Sequence, residues 1–238
     1  MSLSTKEFTR ASPEIKFLCK RDKALSHVID YIGNLKYRLY GDAFTHFVFT
    51  IIGQMLSNKV ADVLCDRMVT LCGGKVSPAT VSKFSAAEIK GIGVSLSKAE
   101  NILGLAKLVI NDPRYFQRLK RMPDEEIKKE LIKIRGIGIW SVNMYLIFVL
   151  DRPDILPTED VAFAQAVEWV YGISDRTTGQ KHMKACLKHW SPYSSIAARY
   201  MYRLLDSGIT KQDDSPLKKK LQKLVFKKTQ STSRRKHD

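Results

Sequence analysis

An all-α architecture is predicted by three observations. Apolar residues recur at helical intervals through most of the chain, and no sustained period-two alternation appears. Gly-Gly, Asp-Pro and Asp-Arg-Pro-Asp breaks punctuate the helical stretches. From Phe44, the segment FTHFVFTIIGQML places Phe44, Phe47, Val48, Ile51 and Ile52 on one face. A second helix over 58–72 sets Val60, Val63, Leu64, Met68 and Leu71 inward and stops at Gly73-Gly74. Ile102, Leu105, Ala106 and Val109 mark a helix over 97–110, closed by Asp112-Pro113. Ile127, Leu131 and Ile134 mark one over 125–134, with its lysines outward. Further helices are expected over 140–150, 159–171, 178–189 and 192–207.

The C-terminal 211–238 divides in two. Leu217, Leu221, Leu224 and Val225 have i, i+4, i+7, i+8 spacing among lysines, which predicts a basic amphipathic helix. From Thr229 the composition predicts disorder.

At 238 residues, with 44% apolar side chains, the chain is long enough for one large or two small domains. Lys and Arg total 40 against 24 acidic residues, a net charge of +16. The last 28 residues contribute +7, leaving +9 on the first 210, so the excess is not a property of the tail alone. A polyanionic partner suits such a balance, because each neutralised phosphate releases condensed counterions. The plainer reading is a basic protein kept soluble by its charge.

Cys19, Cys65, Cys72 and Cys186 form no C-x-x-C pair and fit neither a zinc ribbon nor an iron–sulfur loop, so buried thiols in a reducing cytosol are expected. The N-terminal MSLSTKEFTR has no apolar signal core, and VNMYLIFVL at 142–150 is too short to span a bilayer. The expectation is a soluble intracellular protein of the cytoplasm and nucleoid, or of the nucleus in a eukaryote.

The stretch EEIKKELIKIRGIGIWSVNMYL carries the chemistry of binding. One helix ends at Ile134, Arg135-Gly136-Ile137-Gly138 turns, and a second starts at once. Gly136 suits the left-handed conformation that closes a helix, while Gly138 removes a side chain that would block another backbone. The N–H groups opening the second helix then favour a phosphate. An ordinary αα-corner uses the same Gly-x-Gly turn.

About 20 residues further lies DILPTEDVAFAQAV, where Pro157 and Thr158 suit a helix start and put Glu159 and Asp160 in its first turn. Acidic residues there usually only complement the dipole.

The hairpin resembles that of the helix-hairpin-helix DNA glycosylases, with a hydrophobic-x-Gly-hydrophobic-Gly turn. The resemblance runs from about residue 40 to 205, toward the 3-methyladenine DNA glycosylase II, or alkylpurine, group. FTIIGQMLSNKV at 49–60 is similar to that group's Ile-Ile-Gly-Gln-Gln-Leu-Ser segment, and GIGVSLSKA at 91–99 to its Gly-hydrophobic-Ser-x-x-Lys-Ala segment. Trp190-Ser191-Pro192-Tyr193 resembles its Trp-x-Pro-Trp, although the arginine that follows is here Ser194. Too little sequence precedes residue 40 for the extra N-terminal β-domain of some members.

The resemblance implies two helical subdomains with a DNA-binding cleft between them. Residues 44–152 would form the central domain, with the hairpin at 125–150. Residues 1–43 with 153–210 would form the second, and 211–238 a basic tail. It implies Asp160, in the Pro-x-x-Asp-hydrophobic context, as the catalytic carboxylate that stabilises oxocarbenium-like charge on the sugar. Arg135, Gly136, Gly138 and Ile139 would contact DNA, with Gln54 and with Met55 as the wedge that fills the space of a flipped nucleotide. Trp140, Tyr202 and Met144 fall at base-pocket positions, where an electron-rich face attracts a cationic methylated purine. Each aromatic, and Met55, has core packing as its alternative.

Bifunctional relatives carry a lysine nucleophile where Trp140 stands, so hydrolysis without strand cleavage is implied. No cofactor is required, and the hairpin is a place where members often hold a monovalent cation on backbone carbonyls. The partner would be double-stranded DNA containing a damaged base, with no membrane, and the protein a monomer. Two other readings stand beside this one: a glycosylase for a deaminated or oxidised base, and a non-catalytic helix-hairpin-helix DNA-binding protein.

Overall fold

The apolar spacing becomes helix along most of the chain. The computed structural model describes residues 5–173, 175–212 and 214–224. They divide into two compact units, one of residues 39–151 and one of residues 5–38 with those from 152 onward. Among the described residues, no helix is long and apolar enough to cross a membrane.

In the first unit, α3 (Ala43–Gly53) starts where the Asp42 carboxylate accepts the Thr45 N–H at 2.7 Å. It buries Phe44, Phe47, Val48, Ile51 and Ile52. Then follow α4 (Asn58–Leu71), α5 (Pro78–Val81), α6 (Ala86–Gly91), α7 (Leu96–Asn111), α8 (Tyr115–Leu119), α9 (Asp124–Leu131) and α10 (Ile139–Phe148). Ser77 and Ser85 close reciprocal capping boxes at α5 and α6, and Ser95 caps α7. Every residue of α10 from Ser141 to Ile147 is buried, which makes it the central helix of this unit. His46 is buried beside the Tyr40, Phe47 and Tyr145 rings, and burial pushes its imidazole down to about 4.

The second unit holds α1 (Pro13–Arg21), α2 (Lys23–Ile32), α11 (Val161–Tyr171), α12 (Asp175–Leu187) and α13 (Ser194–Asp206). It also holds a two-stranded antiparallel sheet, β1 (Thr5–Phe8) with β2 (Leu35–Arg38), in which Phe8 faces Leu35 and Thr5 faces Arg38. Phe163, Ala166, Val167 and Val170 form the buried stripe of α11. Asp22 fastens the two chain segments together. As the N-cap of α2 it accepts the Leu25 N–H, and its Oδ2 accepts from the Tyr171 hydroxyl, His189 Nε2 and Trp190 Nε1, each at 2.8 Å. Burial raises the carboxyl's pKa, but these donors outweigh it and hold the group below the ordinary carboxylate value.

Several expectations are corrected. In α4, Val60 and Val63 are each 46% exposed, while Leu64 and Met68 are buried. The inward edge runs through Ala61, which meets Gly53, so the true stripe is offset from the expected one. The short sheet was missed because two four-residue strands give no sustained alternation. The helix expected over 125–134 ends three residues sooner, at Leu131. In α12 the backbone breaks at Gly179, with φ of 74°. Residues 216–224 are helical, but Leu217 and Leu221 lie in the core of the second unit, so this segment is not a free tail. Val225 and the stretch from Thr229 lie outside the described residues. Of the thiols, Cys72 is buried and the other three are half-buried.

His46 sets an expectation for acid stability. Between its ordinary value of 6.5 and its folded value of about 4, the unfolded chain binds a proton that the folded chain does not. Stability therefore falls as pH falls through that window, by about 2 kcal/mol from pH 7 to pH 5. Hydrogen exchange of α3 amides at both pH values measures it, and His46→Phe is expected to flatten the dependence.

Candidate active site

The hairpin is built by two glycines with different tasks. Gly136 takes φ of +86°, and a Cβ there would lie 2.4 Å from Asn101 Nδ2 on α7, so both backbone and space demand glycine. Gly138 has an ordinary φ of −100° and is the N-cap of α10. A Cβ on it would meet nothing within 4 Å among the described residues, so there is open space beside this glycine. Ile137 is buried beneath the turn, while Ile139 is 38% exposed at the first position of α10. No side chain caps α10, and helix geometry leaves the first-turn N–H groups without intrahelical acceptors. Those amides and the helix dipole make a place for an anion.

The charges around the turn are more balanced than the sequence suggests. Lys128 of α9 pairs with Glu125 at 2.6 Å and Lys133, just past its end, with Glu130 at 2.7 Å, so two of the lysines before the turn are offset by glutamates. Arg135 is well exposed and lies 3.6 Å from Glu100.

Gln54 and Met55 follow α3. The Gln54 amide Nε2 donates to the Gly136 carbonyl at 2.9 Å and reaches Ser141 Oγ at 3.3 Å, so this side chain is spent on the hairpin itself. Met55 has φ of 62° and a wholly exposed side chain, which removes core packing as its explanation. Trp140 is half-buried near the start of α10, and Met144 is buried on the same helix.

In the second unit, Asp160 is the N-cap of α11 rather than a residue of its first turn. The helix begins at Val161, and Asp160 Oδ1 accepts the Phe163 N–H at 2.7 Å. Asp160 is 7% exposed, whereas Val161 beside it is 71% exposed. Glu159 is half-buried, its carboxylate beside the Thr158 hydroxyl. Tyr202, on α13, lies close enough to Asp160 to feel its charge. Burial first, then the Asp160 carboxylate, hold the phenol well above its ordinary value, with Arg199 acting in the opposite direction. The Tyr202 and Phe163 ring centroids are 6.3 Å apart. Asp160 and Tyr202 are thus brought together.

The loop leading to Asp160 is laced to the start of α13. Asp154 accepts from Ser191 Oγ at 2.6 Å and Ser194 Oγ at 2.5 Å, and the Ile155 N–H donates to Ser195 Oγ at 2.9 Å. Ser194, which stands where the resembling motif has arginine, is therefore a loop fastener here.

Sequence reasoning assigned no role to Lys98 or Asn101. Lys98 Nζ donates to the carbonyls of Ile52 and Gln54 at 2.8 and 2.7 Å. A cation in the first turn of a helix opposes the dipole, and that was the available signal. Asn101, which abuts the turn, left none. No group of three or more His, Cys, Asp or Glu side chains suited to a metal occurs among the described residues.

The model of the family described as HhH-GPD superfamily base excision DNA repair protein matches residues 48–192, more than half of the chain. The Bacillus subtilis protein YfjP, provisionally named a DNA-3-methyladenine glycosylase, is 28% identical over 216 residues, covering 81% of this chain and 74% of that one. The crystal structure of a DNA-3-methyladenine glycosidase from Bacillus halodurans has a TM-score of 0.75 at 27% identity, covering 93% of this chain and 99% of its own. A Schizosaccharomyces pombe 3-methyladenine DNA glycosylase in complex with abasic DNA has a TM-score of 0.68. At 19% identity, covering 78% of this chain and 97% of its own, it speaks to the fold alone.

The two glycines separate space from strain. Gly136→Ala is expected to destabilise the protein by about 2 kcal/mol or more. Gly138→Ala is expected to stay within about 1 kcal/mol of the parent. Urea unfolding followed by tryptophan fluorescence measures both.

Proposed function

The chain belongs to the HhH-GPD superfamily of base excision DNA repair proteins, and from that premise we propose that it hydrolyses the N-glycosidic bond of alkylated purines in DNA. The observation that carries the reading is the Asp160 carboxylate, buried at the N-cap of α11 with its geometry fixed by the Phe163 amide. Breaking the bond from base to sugar builds positive charge on the deoxyribose, and a negative group held beside it lowers the barrier. The same carboxylate orients the water that completes hydrolysis.

Tyr202, next to Asp160, offers an aromatic face to a cationic base, and Trp140 and Met144 are assigned to the base pocket on the sequence pattern. Tryptophan at position 140 supplies no amine, so no Schiff base forms and the product is an abasic site on an unbroken strand. Ile139, Arg135 and the opening amides of α10 grip a phosphate, with Gly138 leaving room for it. Met55 fills the space left by the extruded nucleotide. The substrate places the enzyme in the compartment that holds DNA.

A cation at the hairpin would be held by carbonyls, because residues 132–138 carry no carboxylate, imidazole or thiol. The Ile134 and Gly136 oxygens each accept one hydrogen bond and keep a second lone pair, a neutral donor set that suits a monovalent ion. Bound there, it would add positive charge beside the phosphate.

Asp160→Asn is the decisive variant, because asparagine caps a helix as well as aspartate does and removes only the charge. Its thermal midpoint is expected to match the parent's, while release of methylated purines falls roughly 10²–10³-fold. A panel of methylated, uracil-containing and oxidised duplexes, read before and after alkali, gives the lesion and shows the strand intact until alkali. Unchanged release by Asp160→Asn would overturn the assignment. Release of only uracil or an oxidised base would overturn the substrate.

A further inference from the structure

Two unfavourable choices meet at Met55. Its backbone is left-handed, which costs a non-glycine residue about 1 kcal/mol. Its apolar side chain is wholly in water. An apolar side chain adds nothing to folding there unless something outside the chain covers it.

Two side chains, those of Lys98 and Gln54, hold this tip. Lys98 Nζ sits over the last carbonyls of α3, donating to Ile52 and Gln54 at 2.8 and 2.7 Å. It forms no salt bridge with a carboxylate among the described residues, and burial lowers its pKa below the ordinary lysine value. Gln54, the residue whose carbonyl Lys98 holds, sends its own amide 2.9 Å to the Gly136 carbonyl in the hairpin turn. The hairpin end is fixed in its turn, because Gly136 is pressed against Asn101. A continuous line of hydrogen bonds therefore runs from Lys98 on α7 through Gln54, the residue before Met55, to the Gly136 carbonyl in the turn, and all of it lies in one unit.

We infer that Gln54 and Lys98 are positioning residues: they lock the Met55 wedge at a fixed distance from the hairpin amides, so that strand grip and insertion into the duplex occur as one event. This rests on the DNA-binding reading above but not on the choice of lesion. A helix cap alone would leave Gln54's side chain free of the turn. The bond to Gly136 is what makes the tip part of the hairpin, and placement errors of about 1 Å are enough to slow such chemistry severely.

The test uses the full chain and two duplexes: one carries a tetrahydrofuran abasic analogue beside 2-aminopurine, whose fluorescence rises when the wedge unstacks it, and the other carries a methylated purine whose release is followed. Gln54→Ala is expected to lower both the fluorescence rise and single-turnover base release about tenfold. Lys98→Met is expected to behave alike, and Lys98→Arg, which still donates to both carbonyls, to restore the signal. Once Met55→Ala is present, adding Gln54→Ala is expected to change nothing further, because the residues act through the wedge.

The inference is overturned if Gln54→Ala reduces release equally with and without Met55→Ala. It is overturned also if the fluorescence rise survives in Gln54→Ala and Lys98→Met, or if Met55→Ala leaves that rise intact. A wild-type rise lost in Met55→Ala and Gln54→Ala, with no methylated base released, would support the inference and sink the lesion assignment instead.

Discussion

A carboxylate can work beside a developing cation only if the protein holds it still, and here the cap of α11 helps to do so. The Phe163 N–H binds Asp160 at the start of α11, and the Phe163 ring lies in the core of the same unit, edge-on to Trp190. Trp190 is in turn bound to Asp22. The catalytic candidate is therefore fixed by a chain of contacts that reaches to the N-terminal segment. On its other side, Asp154 and the serines opening α13 hold the loop from which Asp160 emerges. Any movement of Asp160 would have to break the cap or disturb the core.

The other unit solves a complementary problem, which is to present backbone rather than side chains. An anion site made of amides needs a helix that starts without a capping side chain and a turn that brings its first residues to the surface. Gly138 at the N-cap and Gly136 at positive φ provide these, and Asn101 makes glycine obligatory at 136. With Lys128 and Lys133 paired to glutamates, the amides and the dipole carry more of the proposed grip than those lysines do.

Much of this was legible in the sequence, and the reasons differ from residue to residue. The inward faces of α3 and α7 could be read because a helix resting on one side leaves a clean period. The backbone at Gly136 was legible because glycine marks positive φ. Asp160's place at a helix start was visible, although the helix begins two residues later than expected, which makes Asp160 its cap. The offset of α4 was hidden, since Val60 and Val63 mimic a core stripe that packing did not choose. The bonds that Asp22 and Gln54 make were hidden for a common reason. Each makes its decisive bonds with residues far along the chain: Asp22 to Tyr171, His189 and Trp190, Gln54 to Gly136, and no local pattern records such pairs. The sheet and the docking of Leu217 and Leu221 were hidden in the same way, because both depend on which distant surface was left to cover.

The proposed chemistry depends on negative charge acting on a cationic sugar, and binding to sugar mimics tests that without any turnover. Duplexes carrying a cationic pyrrolidine in place of the deoxyribose are to be compared with duplexes carrying the neutral tetrahydrofuran. The parent protein is predicted to prefer the cationic mimic by about a hundredfold or more, and Asp160→Asn to show no preference. Equal affinities in the parent, or a preference that survives the loss of the Asp160 charge, would contradict it.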